Sequence, residues 1–426
     1  MAENGLGAGR YLAPAELPEA TTTTAHQLAT SDGATVNGLL RTVPGATAVA
    51  VLMHPRQDFS HHVLVPELLS QGYAVWTQGT RTAGNDLTLL HEQALLDLAA
   101  GNVFLRDKGF SRVVLIGHSG GAALAAFYLQ QAARPAAQRL RRAPSGKPVP
   151  LGEAEMPVAD GFLMMAPHPG QGALLLRLID PSVVDERDPR SAAPDLDPYL
   201  PANGFAEPPG SSAYAHEFVA AYRTAQYDRI ARIDALAREL AEQSAAARHR
   251  YGETRDAADR RTALATGVLT AYRTDADLRS VDLSLDPNDR PYGSLFGRRP
   301  DLTNYGVLGF GRLTTPDSWL STWSAISGNA DLAACLPDVT VPTLLVELTG
   351  DQACFPADAQ RFRDLSGAAD ITHVRVPGRH FGAPLREGMT SGATLAGAEM
   401  GEWLRARFPA GALAPELLVS TPNATR

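Results

Sequence analysis

The sequence predicts an α/β protein: a mostly parallel central sheet with helices on both faces, interrupted by a mostly helical subdomain. Three observations predict it. Short continuous apolar runs alternate with segments of helical period over residues 48–166. That alternation stops after His168 and returns at Val341. The stretch between them, roughly 170 residues, is large enough to be a subdomain of its own. The 426 residues are 44% hydrophobic and 20% charged, which excludes a disordered or fibrous chain. A net charge of −8 argues against nucleic acid or an anionic membrane as main partner. Two cysteines, Cys335 and Cys354, exclude a disulfide framework and four-cysteine zinc modules.

The elements follow in order. Residues 1–20 read as an N-terminal arm without periodicity. Strands over 24–30 and 35–41 flank a turn at Ser31-Asp32-Gly33. The run 48–53 is apolar throughout, as a strand buried on both faces requires. A helix over 63–71, a strand over 72–77, a helix over 87–108 and a strand over 112–117 follow, then an Ala/Leu-rich helix over 121–133. Residues 134–156, rich in Arg, Pro and Ala, read as a solvated connector, and 158–166 as the next strand. Within 170–338, the segment 214–261 mixes charges of both signs with Phe218, Tyr222, Ile230, Ile233, Ala237 and Leu240 at helical spacing. The sheet resumes over 341–348, with a helix over 357–365, a strand over 372–376 and a helix over 394–407. The division is therefore 1–20 arm, 21–169 core, 170–338 helical insertion, 339–408 core and 409–426 tail. The first residues lack the basic and apolar regions of a secretory signal, and no apolar run exceeds 122–129. A cytoplasmic chain without a membrane span is the expectation.

The strand over 112–117 runs into Gly117-His118-Ser119-Gly120-Gly121 and then into a helix. This is G-x-S-x-G in the strand–turn–helix setting that gives the pattern its meaning. Small residues flank a serine on a strained turn, and its side chain projects above the sheet. The next N–H, from Gly120, lies at a helix N-terminus that favours negative charge. The plain alternative is a Gly-rich turn in which Ser119 caps a helix.

Here the chain resembles the α/β-hydrolase fold superfamily, over roughly residues 21–166 and 339–407, with the middle as a family-style cap insertion. The resemblance implies an acid after a late strand and a histidine near the end. Asp351 follows the strand that ends at Thr349-Gly350, and His380 lies in Val376-Pro-Gly-Arg-His-Phe-Gly382. Ser119, Asp351 and His380 are the implied catalytic set. Glu347 and Asp358 are weaker candidates for the acid. An imidazole takes the serine proton, and the acid fixes its tautomer. The resemblance also implies a second oxyanion donor, beside Gly120, from the loop Met53-His54-Pro55-Arg56. Pro55 has no N–H, so Arg56 is the candidate donor and Gln57 the runner-up.

His54, His168 and Tyr199 are candidates for the substrate pocket; a loop or hinge use of these residues is the plainer reading. His54, His61, His62 and His91 lack acidic or cysteine partners at ligand spacing, so no metal is expected. No G-x-G-x-x-G follows a strand, so no cofactor is expected either. The function implied is a serine hydrolase. It would cleave a carboxylic ester, lactone or thioester of a small to medium apolar substrate through an acyl-enzyme on Ser119. A carbon–carbon bond hydrolase on a diketone, using the same residues, and a non-catalytic ligand-binding protein on the same fold are the alternatives. The expected partner is a small molecule, and a homo-oligomer is compatible with the sequence.

Overall fold

The structure is a computed structural model that describes residues 15–411. Residues 1–14 of the expected arm and 412–426 of the expected tail lie outside the described residues. The eight strands of the central sheet are β1 (Thr22–Ala29), β2 (Thr35–Thr42), β3 (Ala48–Met53), β4 (Ala74–Gln78), β5 (Arg112–His118), β6 (Gly161–Met165), β9 (Thr343–Leu348) and β10 (Ile371–Val376). They lie in the order β1-β2-β4-β3-β5-β6-β9-β10. The pair β1–β2 is an antiparallel hairpin closed by Gly33 at φ +83°, and β2 is antiparallel to β4. From β4 to β10 every pairing is parallel.

The alternation of side chains across the strands builds two cores. Val49, Val51, Val113, Leu115, Phe162, Met164 and Leu345 face one side. They pack there with α2 (His91–Asp107) and α3 (Gly120–Ala133). Ala50, Leu52, Val114, Ile116, Leu163 and Val346 face the other, against α1 (Leu64–Ser70) and α11 (Gly392–Arg407). Each large apolar side chain so buried contributes about 1.5–3 kcal/mol relative to exposure. That outweighs the poor strand propensity of Gly161-Phe-Leu-Met-Met165, which pairs on both edges. At the end of the described chain, Thr47 N–H donates to Ala410 O over 2.8 Å, so the chain is docked two residues beyond the expected end of the core.

Between β6 and β9 lie the helices α4 (Gln171–Leu178), α5 (His216–Thr254), α6 (Ala257–Leu264), α7 (Pro300–Thr303), α8 (Pro316–Ser318) and α9 (Leu332–Cys335). The two-residue strands β7 (Leu269–Thr270) and β8 (Leu313–Thr314) pair only with each other. No strand of this stretch joins the central sheet. Helix α5 buries Tyr222, Ile230, Ile233 and Ala237 on one stripe, against Leu175, Trp319 and Trp323 or against Leu278 and Val281. Leu332, Ala333, Cys335 and Leu336, counted with the insertion from the break in strand alternation, pack instead into the core beside α3. Helix α10 (Pro356–Leu365) covers β9.

A glycine decides how close α3 comes to β5. A Cβ on Gly117 would lie 2.3 Å from Ala122 Cα, a backbone atom that cannot swing away. Gly117→Ala is expected to cost about 1–3 kcal/mol of stability. Urea unfolding should show a lower midpoint at unchanged slope.

Candidate active site

The loops after β3, β5, β6, β9 and β10 leave the same edge of the sheet, the carboxyl end of the parallel strands. They carry His54, Ser119, His168, Asp351 and His380 respectively. Ligand sites of open α/β sheets lie at this edge. Ser119 sits on the turn between β5 and α3 at φ +56°, a region that side-chain-bearing residues rarely adopt. Its N–H donates to Met165 O over 3.2 Å, and a Cβ on Gly121 would lie 2.6 Å from Met53 O. The strain is thus held from both neighbouring strands.

Ser119, His380 and Asp351 form one hydrogen-bond path. His380 Nδ1 lies 2.8 and 3.0 Å from the two carboxylate oxygens of Asp351, and Nε2 lies 2.9 Å from Ser119 Oγ. A carboxylate only accepts, so Nδ1 carries the proton and Nε2 turns its lone pair to the serine. Asp351 is 0% exposed, His380 2% and Ser119 6%. Asp351 Oδ1 also accepts from Ala353 N–H at 2.7 Å and Cys354 N–H at 3.2 Å, which satisfies the buried charge locally. This sheet order, with the strained serine and its two partners on late loops, decides the fold. It is the α/β-hydrolase fold.

In the α/β-hydrolase frame, the other carboxylates are committed elsewhere. Glu347 pairs with His373 and Arg375, and Asp358 takes a two-pronged bond from Arg177 at 2.6 and 2.7 Å. The loop after β3 corrects one expectation. The Arg56 N–H is directed at His54 Nδ1 over 3.1 Å, and the runner-up Gln57 N–H at the same atom over 2.9 Å. His54 therefore folds this loop onto its own ring, and neither N–H is left aimed at Ser119. The Arg56 guanidinium is also occupied. It pairs with Asp86 at 2.5 Å and lies 4.9 and 4.8 Å from the ring centres of Phe310 and Trp323. Tyr199 is a second correction. Its ring packs on Phe205 and its hydroxyl donates to Asp275 O at 2.7 Å, inside the insertion's own core. His168, by contrast, is at the elbow: its Nε2 lies 2.8 Å from where a Cβ on Gly120 would stand.

A chain of two imidazoles, His62 and the elbow's His118, leads to the backbone of His380. Leu64 N–H donates to His62 Nδ1 at 3.3 Å, and His62 Nε2–H to His118 Nδ1 at 2.8 Å. His118 Nε2–H then donates to His380 O at 2.8 Å. A backbone N–H at one end and a carbonyl at the other leave only one tautomer for each ring, and both rings must be neutral. Burial agrees, pushing His62 down to about 3 and His118 well below the usual imidazole value. Burial also pushes His91 down to about 4 and holds His54 and His168 well below the usual value. Among the described residues, no group of three or more His, Cys, Asp or Glu is arranged to hold a metal ion. Nor is any described helix long and apolar enough to cross a membrane.

No family model matches the chain, and no curated protein matches it. Among solved structures, the chain is similar to the α/β-hydrolase GrgF from Penicillium sp. sh18, at 12% identity over 91% of this chain and 99% of that one, with a TM-score of 0.47. It is similar to Est1E from Butyrivibrio proteoclasticus at 10% identity, over 90% and 98% of the two chains, with a TM-score of 0.42. The esterase domain from a Rhodothermus marinus protein gives 12% identity, 90% and 98% coverage and a TM-score of 0.43. At that distance nothing of substrate or mechanism carries over.

Five buried neutral histidines make stability depend on pH in a definite direction. His54, His62, His91, His118 and His168 stay neutral in the fold. Unfolded, each protonates near pH 6.5, at about 6.5 by the model-peptide value. The unfolded state then binds more protons, so stability falls as pH drops below that value. Each contributes up to about 1.4 kcal/mol per pH unit. Urea unfolding between pH 6.5 and 5 should show a steep loss, and His62→Gln should flatten it by about one histidine's share.

Proposed function

We propose that the chain is a serine hydrolase that cleaves a carboxylic ester, lactone or thioester through an acyl-enzyme on Ser119. The observation that carries this is the buried, fully oriented path from Asp351 through His380 to Ser119 Oγ. Oγ attacks the carbonyl carbon while its proton passes to His380 Nε2. The Asp351 carboxylate, already bonded to Nδ1, stabilises the imidazolium that forms. The carbonyl electron pair moves onto oxygen, beside the Gly120 N–H at the start of α3. There no carbonyl four residues back competes for that donor. Collapse expels the alcohol or thiol, which takes the proton back from His380. Water then repeats the sequence on the acyl-serine, releasing the acid and restoring Ser119. Base catalysis of this kind typically supplies 10²–10⁴ in rate.

The insertion serves in this reading as a cap. Phe310 and Trp323, both from residues 170–338, stack on Arg56 next to the His54 loop, and Ser321 and Thr322 bond His91. An enclosed site of this kind suits a small or medium substrate rather than a polymer.

Two measurements test the reading. Ser119→Ala and His380→Ala should each lower kcat on an activated ester by at least about 10³, and the double variant should lose little more, because the residues act as a unit. Asp351→Asn should cost on the order of 10⁴ by favouring the wrong tautomer. A fluorophosphonate probe should label Ser119 in the folded protein. Additive losses in the double variant, or a folded protein that stays unlabelled, speak for the non-catalytic binder.

A further inference from the structure

Among the described residues four glutamines are buried, and three of them are bonded. Gln78 accepts from Trp76 and donates to Asp97 O, Gln131 accepts from Leu140 N–H, and Gln226 donates to Arg177 O and Ile179 O. Gln171 is 2% exposed, and neither its Oε1 nor its Nε2 has a hydrogen-bond partner. Buried amides without partners are rare enough in native proteins to require a reason.

The position of this amide supplies one. A Cβ on Gly120, the residue after the serine, would stand 2.7 Å from Gln171 Oε1, 2.8 Å from its Nε2 and 2.8 Å from His168 Nε2. The amide and the imidazole thus converge on the backbone of the proposed oxyanion donor, and only glycine at 120 admits them. Both are held rigidly. His168 Nδ1 accepts Gly170 N–H at 3.1 Å, so its proton sits on Nε2 and faces the same place. Gly170, at φ +115°, starts α4 against Ala330 O, where a Cβ would lie 2.3 Å away. Gly172 packs equally closely on Ser324 O.

We infer that the site takes an ester whose acyl part carries a neutral hydroxyl or amide group next to the reacting carbonyl, and that Gln171 reads that group. This rests on the hydrolase reading above and names its substrate class. A carboxamide offers one donor group and one acceptor side by side, which a hydroxyl or an amide matches and an alkyl chain does not. A substrate carboxylate has no hydrogen to donate, so Oε1 would stay without a partner. The nearby guanidinium groups do not compensate, because Arg56 is paired with Asp86 and Arg177 with Asp358. The apolar substrate expected from the sequence would leave the buried Gln171 amide without partners in the complex as well. A site built to bond a substrate hydroxyl discriminates strongly against an analogue lacking it, since its own polar groups then stay unpaired.

The test compares ethyl 2-hydroxybutyrate with ethyl 2-methylbutyrate, near-isosteres that differ by hydroxyl for methyl. Hydrolysis is followed by proton release, and each kcat/KM is divided by the ester's rate with hydroxide. The wild-type protein should favour the hydroxy ester at least tenfold, and Gln171→Leu should abolish that preference. Should Gln171→Leu not fold, Gln171→Met carries the same comparison. A wild-type preference below tenfold, or one that survives the Gln171 substitution, overturns the inference while the hydrolase reading stands. No turnover of either ester, with Ser119 unlabelled by the fluorophosphonate, overturns the hydrolase reading and this inference with it.

Discussion

Ser119, His380 and Asp351 bond to one another where almost no water reaches them, and the surrounding structure is organised around that constraint. A buried carboxylate must be paired or strongly hydrogen-bonded, because the interior does not solvate it. Asp351 meets the requirement with two backbone N–H groups and His380 Nδ1. The imidazole is then fixed in tautomer, and the serine hydroxyl has one acceptor to face. Each of the three groups is oriented by the next, so the geometry exists before any substrate arrives. Preorganisation of that kind is what makes electrostatic stabilisation in an active site inexpensive at the moment of reaction.

The histidine chain extends the same logic to the backbone. His380 stands on a short loop after β10, closed by Arg379 N–H on Ala383 O at 2.9 Å. Its own carbonyl would be an unsatisfied acceptor without His118. His118 keeps its Nε2–H for that carbonyl only because His62 occupies its Nδ1. A hydrogen bond left unmade in such a place costs about 1–3 kcal/mol. Two neutral rings therefore hold the loop that carries His380, and both come from segments near the elbow rather than from the loop itself.

Legibility in the sequence follows from how local each signal is. Ser119 stands between a buried strand and a helix with glycines on both sides, so its strained turn is written in five consecutive residues. Asp351 can be read because it follows the buried strand β9, and His380 because it follows β10 near the end of the chain, each at the place where the resemblance requires it. Strands β3 and β6 are legible because burial on both faces makes them apolar without interruption. Arg56 shows where such reading ends. Its N–H is the available donor by position, yet the ring of His54, two residues earlier, turns that N–H toward itself. Gln171 and the His62–His118 pair depend on contacts between distant segments, and nothing in their own neighbourhoods marks them. Long-range contacts of the same kind cross the expected boundary at 339. Residues 332–336 form a helical turn like those of the insertion, but their apolar faces are buried beside α3.

Those long-range contacts also settle what kind of body the insertion is. It is not a module laid on a finished core. Asn288 donates to Asp351 O at 2.8 Å, and Asp289 N–H donates to Thr349 O at 2.8 Å, both onto the loop that carries Asp351. Gln352, next to Asp351, donates to Pro291 O and Gly293 O. Arg177 and Arg279 both face the Asp358 carboxylate at the start of α10, and Arg279 lies 3.7 Å over the Phe355 ring. On the other side, Ser321 and Asn329 satisfy the buried Glu92 of α2, whose carboxyl burial pushes upward. Removing the insertion would take its present partner from each of these polar groups. The order along the chain, in which Ser119 precedes the insertion and Asp351 and His380 follow it, thus has a physical counterpart: the Asp351 loop is bonded by the segment that separates it from Ser119.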